Sequence, residues 1–228
     1  MFRKLGAPLI IACRAFDKNL ASYQELAGTV LLTIHMELRT QIIYTLAQVL
    51  SPTSAPYVLK QVVNDPDPRI LTLNADLVAF DSIVTTFLPS REINFLRNGL
   101  GQLIDTALVT NAAMVKSMNS NGCGRMQLNI LVLQQNLKNI EENVNLQRAA
   151  EYFDLFTAGP DVVVKKAKEA KERGSGNVGE DYSYDELKTL VELCYSEKLA
   201  DSERGISNVA RRSMGDKLLQ LSEVMWQT

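Results

Sequence analysis

This 228-residue sequence has few histidines, cysteines and prolines and a small net charge. His35 is the single histidine, there are three cysteines and seven prolines, and the formal net charge is −2 at pH 7. One histidine allows at most one Ser-His-Asp or Cys-His catalytic group. The near-neutral charge gives no overall field that would attract nucleic acid or anionic lipid. These shortages disfavour an enzyme and a nucleic-acid-binding protein.

The three cysteines are Cys13, Cys123 and Cys194. Their odd number and wide spacing predict reduced thiols, and exclude a cysteine pair with zinc-ligand spacing. The residues up to Cys13 resemble a bacterial lipoprotein cleavage box, but Pro8 interrupts the short apolar stretch. We therefore interpret residues 5–12 as a core helix. We expect no apolar run long enough to cross a bilayer.

Apolar residues recur at helical intervals along nearly the whole chain, and no convincing strand alternation is present. Residues 19–50 carry apolar side chains on more than one face, which predicts a long helix with partners on several sides. The sequence Asp65-Pro66-Asp67-Pro68 is a strong helix start. The pattern predicts an all-α protein with helices ending near residue 88 and over 90–118, 125–140, 145–157, 161–171, 184–196 and 202–226.

The helix over 90–118 has the clearest apolar face, and Leu103→Ala is expected to cost about 2–5 kcal/mol there. Residues 119–124 are predicted to form a turn, and Gly159-Pro160 to break a helix. Glycines make residues 172–181 a flexible loop. The predicted organisation is therefore helical bundles over 1–171, the loop over 172–181, and C-terminal helices over 182–228 that pack on the bundles.

The polar candidates for chemistry are weak. His35 lies inside an apolar helix, where a packed histidine is more common than a catalytic one. Glu141 and Glu142 are adjacent, so on a helix they point about 100° apart and form a solvated helix end rather than an acid/base pair. The glycine-rich spots complete no nucleotide-binding motif; these are Gly99, Gly101, Gly122 and Gly124. We predict no catalytic, cofactor-binding or metal-ligating residue.

A basic run is the densest charge cluster in the sequence. It contains Lys165, Lys166, Lys168 and Lys171, with Glu169 among them. Because it lacks interleaved aromatic residues, it does not suit nucleic acid. A solvated helix end is the favoured interpretation, and peripheral contact with a membrane surface is the most that we expect from these lysines. The aromatic residues Tyr182, Tyr184 and Trp226 are candidate interface anchors or core residues.

Several segments together resemble the C-terminal portion of the exocyst complex component four (Sec-eight) family. The element Ile34-His35-Met36-Glu37-Leu38-Arg39 is similar to a motif in a long helix of that family, and the string from Asn129 to Ile140 resembles a segment near its C-terminus. The likeness spans about residues 31–196, in the same order. Its other elements are 95–103, 148–153 and 184–196.

This resemblance implies an elongated stack of antiparallel helical bundles of the type found in multisubunit tethering complexes. It implies a non-catalytic scaffold subunit that tethers secretory vesicles to the plasma membrane in exocytosis. The expected partners are other exocyst subunits, and the expected location is the cytoplasm at sites of secretion. The family brings no catalytic residue and no cofactor.

Three alternatives stay open at this point. A generic helical adaptor would bind unrelated partners and would show regular two-helix repeats. A helical enzyme would need a polar pocket around His35. An extracytoplasmic lipoprotein would carry lipid on Cys13.

Overall fold

The computed structural model describes residues 6–51, 57–172, 182–200 and 204–226, with side chains from residue 14 onward and, in the last stretch, from residue 205. Within these ranges the chain forms nine α-helices and no β-strand, which confirms the all-α prediction. The helices are α1 Gly6–Leu50, α2 Pro68–Phe87, α3 Ser90–Arg97, α4 Leu100–Thr110, α5 Ser120–Leu137, α6 Gln147–Ala158, α7 Pro160–Glu172, α8 Tyr184–Leu199 and α9 Arg204–Trp226.

The first helix, α1, has 45 residues and is therefore roughly 67 Å long. The sequence suggested two helical segments here, whereas the structure has one. Pro8 lies in the first turn, where its missing N–H removes no helical hydrogen bond. Among the α1 side chains that the structure describes, from residue 14 onward, the buried ones lie in the C-terminal part: Ile42, Leu46, Val49 and Leu50.

The start of α2 is fixed by the residues that the sequence indicated. The Asp67 carboxylate accepts a hydrogen bond from the backbone N–H of Arg69 at 2.9 Å, and Pro68 occupies the first helical turn. The backbone N–H of Asp67 donates to Oδ1 of the buried Asn129 at 2.8 Å. This cap therefore also joins α2 to α5.

The predicted single helix over 90–118 is wrong, because the chain breaks at Asn98-Gly99. Gly99 is the N-cap of α4 and has φ 79°, a left-handed backbone conformation that glycine adopts without strain. The carboxylate of Glu141 accepts hydrogen bonds from the backbone N–H groups of Gly99 at 2.8 Å and of Gly101 at 2.9 Å. The interpretation of Glu141 as a solvated helix end is therefore wrong, since it caps α4.

The predicted turn over 119–124 is also wrong. Asn119 is the N-cap of α5, its side chain accepts the N–H of Gly122 at 2.9 Å, and the helix begins at Ser120. Gly122 lies against the backbone of Tyr57. Its small size therefore allows two chain segments to approach, and it does not shape a turn.

One continuous apolar core joins eight of these helices, and the buried Ile93 and Leu96 of α3 are not part of it. α1 packs against α2, α3 and α4, α6 packs against α4, α5, α7 and α8, and α9 packs against α7 and α8. α6 connects α4 and α5 with α7 and α8. Its side chains Tyr152 and Phe153 are both fully buried. The hydroxyl of Tyr152 donates to the carbonyl of Glu186 at 2.7 Å, and Arg148 pairs with the Glu186 carboxylate at 2.7 Å.

The helix α2 is long and apolar enough, among the residues described, to cross a membrane by length and composition. The expectation that no run approaches this length is therefore wrong. Inside the chain α2 contacts α1 and α5, and it buries four apolar side chains: Ile70, Leu73, Leu77 and Val84. Length and composition are the grounds for this possibility, and 28% of the apolar window of α2 is buried inside the chain.

Asp105 supplies a prediction about pH. Its carboxylate accepts the backbone N–H of Ala149 at 2.7 Å, yet burial raises its pKa. A carboxyl whose folded pKa is raised gives stability that is complete below its unfolded pKa and is lost as pH rises through the folded pKa. Asp105→Asn keeps an acceptor for Ala149 without the charge. We expect it to raise the free energy of unfolding by about 1 kcal/mol at neutral pH.

Urea unfolding of both proteins at neutral pH and at about pH 4 checks this prediction, since protonation of Asp105 should bring their free energies of unfolding together. A variant that is less stable than the parent at neutral pH would show instead that the ionised hydrogen bond to Ala149 outweighs burial.

Candidate docking surface on α1 and α2

The N-terminal half of α1 has no partner in the described part of the chain. Residues 14–30 are all exposed. Phe16 and Tyr23 are 64% and 72% exposed, values that are uncommon for side chains of this size. Apolar side chains along this half follow one face at alternating intervals of four and three residues. We name this face the α1 seam; it consists of Phe16, Leu20, Tyr23, Ala27, Val30 and Ile34.

The spacing of the α1 seam is the heptad spacing by which one helix packs against another. Leu26 and Leu32 are also exposed beside it, so the apolar surface is wider than a two-stranded seam. The sequence pattern predicted a helix over residues 19–50 with apolar side chains on more than one face, but it did not single out this seam. The regular intervals from Phe16 to Ile34 are the signal that could have identified it.

At its C-terminal end the α1 seam enters a groove between α1 and α2 of about 440 Å³. The apolar lining of this groove consists of Ile34, Leu38, Ile42, Leu73, Leu77 and Phe80, and the neutral polar lining of Thr33 and Gln41. Two carboxylates, from Glu37 and Asp76, complete the lining. Both of these residues are exposed. The α1 seam and the groove therefore form one continuous surface of apolar side chains with acidic groups at one end.

The opposite side of α1 is occupied by α3. The rings of His35 and Phe95 stack with centroids 4.5 Å apart. Nη2 of Arg39 donates to the carbonyl of Asn98 at 2.7 Å. Burial, and secondly the charge of Arg39, lower the pKa of His35. These contacts make His35 a neutral packing residue, and they do not place an acid or a nucleophile beside it.

Two of the cysteine thiols take part in packing. Cys123 is buried and its Sγ donates to the carbonyl of Phe153 at 3.2 Å. Burial raises the pKa of Cys123 to about 11 and that of Cys194 to about 12. Both are therefore thiols, not reactive thiolates, at neutral pH. Cys13 lies outside the side chains described. In the ranges that the structure covers, no cluster of three metal-ligating side chains occurs.

The basic run forms the second half of α7, and two of its lysines contact neighbouring helices. Lys166 pairs with Glu151 of α6 at 3.0 Å, and Lys171 donates to the carbonyl of Val224 in α9 at 2.9 Å. Lys165 pairs with Glu169 in the next turn at 3.5 Å, while Lys168 is exposed. These contacts favour a role for the run in joining α6, α7 and α9.

Of the aromatic candidates, Tyr182 is a core residue and Trp226 is a surface residue. The Tyr182 hydroxyl donates to the carbonyl of Arg148 at 2.8 Å, and its ring lies beside Tyr152. Trp226 is 70% exposed and touches the edge of the Tyr184 ring at a centroid distance of 6.1 Å. Among the described residues, α1 nevertheless carries more exposed large apolar side chains than any other helix.

Comparison with known proteins links the chain to one set of relatives. No protein-family model matches it. It is 52% identical over 245 aligned residues to the probable exocyst complex component sec8 of Neurospora crassa, covering 93% of this chain. It is 29% identical to exocyst complex component 4 of Dictyostelium discoideum over 69% of this chain, and 29% identical to that of Homo sapiens over 59%.

The chain spans 22% of the Neurospora relative and 14% of the other two. The match is thus to a segment of much longer polypeptides. The resemblance seen in the sequence motifs is confirmed: the chain is homologous to a segment of exocyst complex component 4, the Sec8 family.

Proposed function

We propose that this chain is a non-catalytic helical scaffold of the exocyst, which tethers secretory vesicles to the plasma membrane. The observation that carries the proposal is the 52% identity, over 93% of the chain, with a protein named as an exocyst component. The proposed location is the cytoplasm, at sites of secretion on the plasma membrane, and the proposed partners are other exocyst subunits.

The physical basis of this function is a rigid body with an exposed docking surface. The continuous core supplies the rigidity, because close-packed interiors deform little. The α1 seam and the groove supply an apolar surface of the kind that marks protein–protein contacts. Holding a vesicle in place needs these two properties and does not need a reactive cleft.

Two finer points belong to the same proposal. The proposed organisation is helical bundles over 1–171, a flexible loop over 172–181 and C-terminal helices over 182–228 that pack on the bundles; residues 173–181 of the loop lie outside the described residues, and Glu172 is the last residue of α7. Peripheral membrane contact through Lys165, Lys166, Lys168 and Lys171 is secondary, since three of these lysines form contacts within the chain.

Combined substitution of three α1 seam residues tests the proposal. Phe16→Ser, Leu20→Ser and Tyr23→Ser remove apolar side chains that are exposed, so the fold should be retained while docking is lost. In cells, we expect a tagged polypeptide carrying this sequence to recover other exocyst subunits, and the triple variant to recover at least about fivefold less. Affinity purification with quantitative mass spectrometry provides the measurement.

The matched control is Val209→Ser with Leu219→Ser on α9, two side chains of similar exposure away from the α1 seam. It should leave recovery unchanged. If the unsubstituted polypeptide recovers no exocyst subunit, the proposed function is wrong. If the triple variant recovers as much as the control, the docking role of α1 is wrong.

A further inference from the structure

We propose that the groove between α1 and α2 binds an amphipathic helix of another polypeptide, with an apolar stripe flanked by lysine or arginine. The inference rests on the proposed function in one respect, that this surface docks a protein partner. It adds the partner's shape and charge.

The spacing of the α1 seam determines the shape of the partner. Side chains at alternating intervals of three and four residues lie in one row along a helix. A second helix that lies along this row can insert its own apolar side chains between them. The row from Phe16 to Val30 leads into the groove at Ile34, so one straight helix can follow both. An extended strand would match only every second residue of its own sequence to this row.

The charges at the groove determine the partner's flanking residues. Glu37 of α1 and Asp76 of α2 line the groove from its two sides, and none of its described lining residues is a lysine or arginine. Neither carboxylate forms an ion pair within the structurally described ranges. Arg39 lies between the groove-lining residues Leu38 and Gln41 in the sequence, but its guanidinium is directed to the carbonyl groups of Leu96 and Asn98. A basic partner is therefore attracted and an acidic one is repelled.

Two other occupants fit the groove less well. The surface of an anionic membrane carries the same sign of charge as Glu37 and Asp76, so it is repelled. In a two-fold contact between grooves of two copies, each copy would bring its own Glu37 and Asp76 to the same interface. Four carboxylates would then be close together with no cation among the groove-lining residues.

Two designed peptides test the proposal with the full chain. Each has three heptads with leucine at positions a and d. The first has lysine at positions e and g, and the second has glutamate there. Fluorescence anisotropy of labelled peptide at nanomolar concentration, in low salt, measures binding. We expect the lysine peptide to bind at least about tenfold more tightly than the glutamate peptide.

A double charge reversal at the groove provides the decisive variant. Glu37→Lys with Asp76→Lys should reverse the preference, so that the glutamate peptide binds more tightly. Glu25→Lys is the matched control: it makes the same change on α1, at an exposed position roughly 120° around the helix from Glu37. That control should leave the preference unchanged. Thermal unfolding of all three proteins verifies that the substitutions preserve the fold.

The outcomes separate this inference from the proposed function. Equal binding of the two peptides, or the same shift from Glu25→Lys as from the double reversal, overturns the partner chemistry. A stable dimer in sedimentation velocity that the double reversal does not weaken also overturns it, because a second copy would then occupy the surface. In either case loss of exocyst subunits by the α1 seam variant would still support the function. If the double reversal switches the peptide preference but the unsubstituted polypeptide recovers no exocyst subunit, the proposed groove partner is supported and the proposed function is wrong.

Discussion

Replacing Gly122 with alanine is expected to lower the free energy of unfolding by about 3 kcal/mol. A Cβ atom at this position would overlap the backbone carbonyl of Tyr57. That backbone has little freedom to move, because the Tyr57 carbonyl accepts the N–H of Asn119 at 3.0 Å and the Tyr57 hydroxyl donates to the carbonyl of Val49 at 3.1 Å. The added methyl therefore has to displace the start of α5 from the chain segment at Tyr57. Urea unfolding followed by circular dichroism measures the effect.

Gly124 provides the matched control, two residues further along the same helix. A Cβ built there has nothing within 4 Å. Alanine has a higher helix propensity than glycine, so Gly124→Ala should stabilise the chain by about 0.5–1 kcal/mol. If both variants lose stability equally, the loss is explained by a need for backbone flexibility in the first turns of α5. The close approach of Gly122 to Tyr57 would then not be its cause.

These two glycines also show why a turn was wrongly predicted for residues 119–124. A cluster of asparagine, serine and glycine favours a turn by local preference. The structure uses Asn119 to cap a helix instead, and Gly122 is needed because of a segment 65 residues earlier in the chain. No local pattern contains that information, since the requirement comes from Tyr57.

Helix boundaries set by local chemistry were predictable. Asp67 and Pro68 begin α2 as expected, because both the cap and the fixed proline φ act within one turn. The break at Gly159-Pro160 separates α6 from α7 for the same reason. The break between α3 and α4 was missed, because apolar residues continue at helical intervals through Gly99. The group that stabilises this break is the carboxylate of Glu141, about 40 residues away.

The candidate docking surface was predictable only in part. The sequence indicated that α1 carries apolar residues on several faces, and the structure agrees. The sequence could not show that residues 14–30 are exposed, without a partner in the described part of the chain. That exposure depends on where α2 ends and α3 begins relative to α1, which is a property of the tertiary arrangement. The acidic groups of the groove were equally hidden, because Glu37 and Asp76 come from two different helices.

Leu108→Ala is expected to cost about 2–5 kcal/mol, and Leu103→Ala clearly less. Both leucines lie in α4. Leu108 is fully buried, whereas Leu103 is half-buried and packs at the edge of the core. Leu103 was predicted to lie at the centre of the core because the pattern was interpreted as one continuous helix over 90–118. The break at Gly99 changes which side chains of α4 face the core. The free energy of unfolding lost to a cavity depends on how completely the deleted atoms were enclosed. The two losses therefore rank the burial of the two leucines. Urea unfolding of both variants measures the ranking, and a larger loss for Leu103→Ala would contradict the orientation of α4 relative to α1 and α6.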